Sequence, residues 1–146
     1  NSEGQIVLSG RNTDIEKLIK VLKSKNIKNI KLPVSAPFHC NLMSKATEIM
    51  KAEIEKLNFI NGKNTLISNV TAKEILDKDE LKKLLIEQIE NRVRWRESVI
   101  KMISKGVDHF IEIGPGKVLS GLVKRINKDV KINSINYEND IKDLNI

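Results

Sequence analysis

"DHFIEIGPGKVLSGLVKRINKDVKINSI", residues 108–135, decides the fold of this chain. Residues 109–113 are largely apolar and read as a strand. Gly114-Pro115-Gly116 stops it, because glycine takes backbone conformations closed to other residues and proline offers no ladder N–H. Residues 117–126 then bring apolar side chains at helical spacing, with Leu119, Leu122, Val123 and Ile126 expected inward. "VKINSI" (130–135) supplies a second strand. Strand, crossover helix and strand in this order imply a layered α/β architecture with a largely parallel sheet.

Working towards the N-terminus, residues 93–104 predict a helix carrying Val93, Trp95, Val99 and Met102, ended by Gly106. Asp77 or Asp79 caps an earlier helix with the stripe Leu81, Leu84 and Leu85, and Gln88 takes the next position of that stripe. "TLISNV" (65–70) is a strand candidate. Residues 41–57 predict a helix with Met43, Ala46, Met50 and Leu57 on one side. At the start, residues 4–8 read as a short strand before Gly10. A helix follows, capped by Asn12 or Thr13 and carrying Ile15, Leu18, Ile19 and Leu22. "NIKNIKLPV" (26–34) is a further short strand, stopped by Pro33. Two short strands and one helix make a poor independent core, so this segment reads as part of a larger unit. The tail predicts a short helix.

Composition narrows the classes. The 146 residues suit one ordinary domain, with 40% hydrophobic residues for a core. No apolar run approaches a membrane span, and no signal peptide is visible. The first residue is Asn1, which reads as a truncated, processed or domain-only chain. The single cysteine, Cys40, cannot form an internal disulfide, and with one neighbouring histidine it makes no zinc site. A reducing, cytoplasmic compartment is the expectation. The net charge of +7, from 26 Lys and Arg against 19 Asp and Glu, favours anionic partners. Aromatic residues are only 3%, and no reader motif accompanies the lysines, which argues against nucleic acid.

Three positions stand out. His39, in "LPVSAPFHCNLM", lies at an expected strand-to-helix junction, where Pro33 and Pro37 stiffen the approach. It reads as a general base or as a histidine satisfied by a backbone carbonyl, and spacing alone favours the second. Gln88 is an amide in an apolar stripe, orienting another polar group or satisfying a loop. "EIGPGKVL" is a glycine-flanked turn before a helix, with Lys117 beside the free N–H groups. It is a possible anion site or, more simply, a structural turn. It matches neither a Walker loop nor a dinucleotide fingerprint. His109 reads as an ordinary strand residue. None of the ten serines lies in a G-x-S-x-G elbow, so a histidine base would have no recognisable nucleophile here.

"NSEGQIVLSG", "LPVSAPFHCNLM", "LISNVTAKEI", "VRWRESV" and "FIEIGPGKVLSGLVKRI" occur in that order. Together they resemble the C-terminal half of the malonyl-CoA:acyl carrier protein transacylase family. The resemblance implies an α/β fold: residues 33–146 would be the C-terminal part of an α/β-hydrolase-like core. Residues 1–32 would be the second half of a ferredoxin-like small subdomain. It implies a Ser-His dyad with His39 as general base and acid, and with the backbone carbonyl of Gln88 orienting it. The serine would belong to the absent half, in a G-H-S-x-G elbow. Phe38 would favour malonyl by narrowing room for a branched acyl group, and Asn1 would lie near the catalytic pocket, although Glu3 replaces a proline of the family's N-S-P-G-Q segment. Malonyl-CoA would be substrate and acyl carrier protein the partner in fatty acid biosynthesis, docked in part by Lys28 and Lys31. No tightly bound cofactor, metal, nucleic acid or membrane is implied. The fragment alone would be inactive. The alternative is a non-catalytic basic α/β domain that binds an acidic protein.

Overall fold

The computed structural model describes residues 1–142 and Leu144, so residues 143, 145 and 146 of the expected 33–146 segment lie outside the described residues. The elements in chain order are α1 (Asn12–Ser24), a 3-10 turn (Asn41–Met43), α2 (Ser44–Lys56), β1 (Leu66–Ile67), β2 (Glu74–Ile75), α3 (Lys78–Glu87), α4 (Trp95–Ser104), β3 (His109–Ile113), α5 (Val118–Ile126), β4 (Lys131–Ile135) and α6 (Glu138–Lys142). β1 pairs with β2, and β3 with β4. The chain divides into two compact units. One comprises Asn1–Ile6, Ile67–Glu74 and Arg94–Ile146, and the other Val7–Leu66 and Ile75–Val93.

In the first unit β3 and β4 run parallel, from His109 opposite Lys131 to Ile113 opposite Ile135. Helix α5 connects them, as parallel strands require a crossover. Its Leu122 and Val123 are buried, and Ile126 is half-buried. Leu119, expected inward, is exposed: it lies in the first turn of α5, and burial begins at Leu122. Val99, Val123 and Val130 form the core, with Trp95, Met102, Phe110 and Ile132 packed against it. Each such side chain, fully buried, contributes about 1.5–3 kcal/mol. Helix α4 ends at Gly106, whose φ of +91° suits glycine. There Gly106 N donates to Ile103 O and Val107 N to Met102 O, a Schellman closure.

In the second unit the buried apolar residues are Ile54 of α2, Ile75 and Leu84 of α3. Asp77, not Asp79, caps α3: its Oδ1 accepts from the N–H groups of Asp79 at 2.9 Å and Glu80 at 2.8 Å. Lys82 Nζ donates to the carbonyls of Glu55 and Leu57, tying α3 to the end of α2. On α2, Met43, Ala46 and Thr47 are half-buried while Met50 and Leu57 are exposed, so the stripe is inward only in part.

The expected strands at 4–8 and 26–34 do not form. Among the described residues their segments join no ladder beyond an isolated Ser2–Gln5 bridge. A strand exists only through a partner's hydrogen bonds, and apolar alternation supplies none. The expected cap at Asn12 or Thr13 is also absent: Arg11 holds the N-cap position without a side-chain bond. The end of α1 is well closed. Asn26 takes a φ of +54°, Asn26 N donates to Lys23 O, and Ile27 N to Leu22 O.

Candidate active site at the end of helix α3

One residue, Cys40, separates His39 from the 3-10 turn, in a loop bounded by Pro37. The φ of His39 is +60°, the left-handed region that a residue with a Cβ seldom enters. Such backbone strain persists only where surrounding contacts over-determine it, and it concentrates at functional sites. Two contacts are present. The Cys40 thiol donates to Pro37 O at 3.1 Å, closing the turn around His39. The ring itself reaches across the unit, with Nδ1 2.8 Å from the backbone oxygen of Gln88.

That oxygen is available for a structural reason. The last carbonyls of a helix have no partner within it, and Gln88 is the C-cap of α3. A carbonyl can only accept, so Nδ1 carries a proton, and in the neutral ring Nε2 then presents its lone pair. The exposed imidazole thus has one nitrogen committed and the other open for proton transfer.

The other expected site residues fall as follows. Phe38 is exposed immediately before His39. Lys28 and Lys31 are exposed in the irregular segment after α1, and no ion pair engages either among the described residues. Asn1 belongs to the other unit, where its amine donates to Gln5 O at 3.3 Å. A shallow depression lined by Asn41, Thr47, Ile86, Glu87, Glu90 and Asn91 lies at the same end of α3. Sequence reasoning passed over Asn91, although an amide just after a helix end is a recognisable stop signal.

"EIGPGKVL" is the structural turn. Glu112 accepts from Leu119 N at 3.0 Å and Ser120 N at 2.7 Å, so the N–H groups at the start of α5 are met from within the chain. Burial pushes the Glu112 carboxyl up. The hydrogen bonds from the Ser120 side chain and backbone and from Leu119 and Val118 outweigh it, holding the carboxyl below its ordinary value. His109 pairs with Asn133 across the strands at 2.8 Å. Among the described residues no three His, Cys, Asp or Glu side chains gather as metal ligands would, and no helix is long and apolar enough to cross a membrane.

No family model matches the chain. The malonyl CoA-acyl carrier protein transacylase of Staphylococcus aureus is 42% identical over 146 residues, 99% of this chain and 47% of its own length. The crystal structure of an acyl-carrier-protein-S-malonyltransferase from Bartonella henselae matches with a TM-score of 0.85 at 38% identity, covering 92% of this chain and 43% of that one. A malonyl-transacylase in complex with its type II PKS acyl-carrier protein matches with a TM-score of 0.84 at 30% identity, over 91% and 43% of the respective chains. The chain spans about half the length of the curated relatives it matches. The α/β architecture corresponds to the C-terminal part of the matched structures. By sequence and by fold, this chain is a relative of the malonyl CoA-acyl carrier protein transacylases, matching about half of such a protein.

Proposed function

We propose that this chain supplies the histidine of a Ser-His dyad in a malonyl-CoA:acyl carrier protein transacylase of fatty acid synthesis. The observation that carries the reading is the 2.8 Å hydrogen bond from His39 Nδ1 to the Gln88 carbonyl. Orienting an imidazole takes one hydrogen bond, so a carbonyl suffices where other sites use a carboxylate. The C-terminal end of a helix also carries partial negative charge. That suits a ring that is cationic between two proton transfers.

In the proposed cycle, His39 Nε2 takes the serine hydroxyl proton as the serine oxygen bonds to the malonyl thioester carbon. The adduct collapses, the carbon–sulfur bond breaks, and the CoA sulfur leaves with the proton from Nε2. In the second half the phosphopantetheine thiol of the carrier protein gives its proton to Nε2, and its sulfur bonds to the acyl carbon. The serine oxygen leaves with that proton, completing a ping-pong exchange. Malonyl-CoA is a substrate, and the cycle uses no tightly bound cofactor. The serine is supplied from a G-H-S-x-G segment, since none of the ten serines here lies in such an elbow.

Phe38, beside the base, limits room for an α-branched acyl group in this reading. Lys28 and Lys31, exposed on a chain of net charge +7, help dock an acidic carrier protein.

In the full-length protein, His39→Ala lowers malonyl transfer by about 10³-fold while the folded structure is retained. A near-normal rate removes His39 from the mechanism. Assayed alone with malonyl-CoA and carrier protein, the chain turns over no faster than its His39→Ala variant. Faster turnover contradicts the assignment of the nucleophile to a separate segment.

A further inference from the structure

We infer that Asn91 is a positioning residue for His39: its side chain locks the end of helix α3 so that the Gln88 carbonyl is held towards the imidazole. The catalytic consequence rests on the transacylase reading, whereas the geometry does not.

The hydrogen bonds at the end of α3 change type residue by residue. Gln88 N makes a helical bond to Leu84 O at 3.0 Å. Ile89 N and Glu90 N then turn tighter, to Ile86 O and Glu87 O, both at 3.3 Å. Asn91 closes the sequence twice. Its backbone N–H reaches Glu87 O at 3.0 Å and its side-chain Nδ2 reaches the same oxygen at 2.8 Å. The Gln88–Ile89 peptide, whose oxygen meets His39 Nδ1, lies inside the short ring that these bonds close.

The side-chain bond is the shortest of the bonds to Glu87 O, and it belongs to a residue that is itself exposed. Without it, the closure depends on bonds at 3.0 and 3.3 Å, and helix ends fray where orphan carbonyls lose their partners. A peptide free to rotate at the fraying end directs its oxygen away from His39. The ring then loses the bond that fixes its tautomer. The amide of Asn91 touches no reacting atom in this scheme. It acts through Gln88.

The test reads the His39 ring nitrogens in this chain by ¹⁵N NMR, at a pH where the ring is neutral. In the unsubstituted chain Nδ1 reads as protonated and Nε2 as unprotonated. In Asn91→Ala this split collapses towards the average of the two tautomers, while far-UV circular dichroism keeps the helical content. Asn91→Gly provides the second variant: glycine is well tolerated past a helix end, so it removes the amide without opposing the stop. Glu90→Gln, at the same end but with no side-chain bond to Glu87 O, leaves the split unchanged. A full split in a folded Asn91→Ala or Asn91→Gly chain overturns the inference, and so does equal collapse in Glu90→Gln. An unsubstituted ring protonated on Nε2 overturns it as well. The His39→Ala assay of malonyl transfer then decides separately whether His39 is the base.

Discussion

Residues 108–135 and residues 4–34 carry the same written pattern, strand then helix then strand, and only the first becomes that structure. In the first, β3 and β4 exchange hydrogen bonds along five residue pairs, and α5 buries Leu122 and Val123. In the second, α1 forms with no buried residue, and the flanking apolar residues stay outside, Ile6 at 82% exposure and Ile30 at 75%. A helix satisfies its backbone locally, so α1 needs little beyond its own periodicity and the closure at Asn26. A strand satisfies its backbone only through a neighbour, so the segments on either side of α1 join no sheet among the described residues. The two regions separate the information a segment holds from the information its partner must supply.

Three substitutions probe that contrast. Leu122→Ala should cost roughly 3 kcal/mol, because a buried leucine leaves both lost contacts and a cavity. Denaturant unfolding followed by Trp95 fluorescence measures it, since Trp95 packs on the Val99, Val123 and Val130 core. A cost below about 1 kcal/mol would mean that α5 is no better anchored than α1.

Glu112→Ala should cost about 1 kcal/mol, the usual worth of a helix N-cap. Its pH dependence sharpens the point. The folded-state carboxyl is held below its ordinary value near 4.5, so this contribution is present above that value. It is lost as the pH falls through the depressed folded value. Acid titration of both chains should therefore show their stabilities converging below pH 4.5, with the unsubstituted chain falling more steeply. Parallel curves would remove the charge from the cap.

Leu22→Ala should have the smallest effect, under about 1 kcal/mol, because Leu22 is only half-buried on a helix with no buried residue. Hydrogen exchange at the α1 amides reads it. A loss equal to that of Leu122→Ala would erase the distinction between the two regions.

The same division runs through the site. Pro37, Phe38 and His39 are adjacent in the sequence, and the resemblance to the transacylases singled out His39 and Gln88 together. Periodicity alone placed Gln88 in an apolar stripe. In the folded unit it is the helix cap, and its backbone oxygen meets the imidazole. Periodicity describes side chains, and the group that meets His39 belongs to the backbone. Asn91 carries a local signal, an amide just past a helix end, but the position alone does not say that its target is the Glu87 carbonyl four residues back.

From the sequence alone came the α/β class, the βαβ unit at 108–135, the Gly106 stop and a choice of Asp77 or Asp79 as the cap of α3. All rest on contacts between near neighbours or on strong periodicity. The folded chain set which segments became strands, that Asp77 rather than Asp79 caps α3, which of α5 and α1 buried its apolar face, and the 2.8 Å closure of a histidine on a carbonyl 49 positions away, a pairing that the family resemblance alone had named. Ladder pairing, burial and that hydrogen bond all depend on groups brought together from distant parts of the chain, and no local pattern encodes the partner.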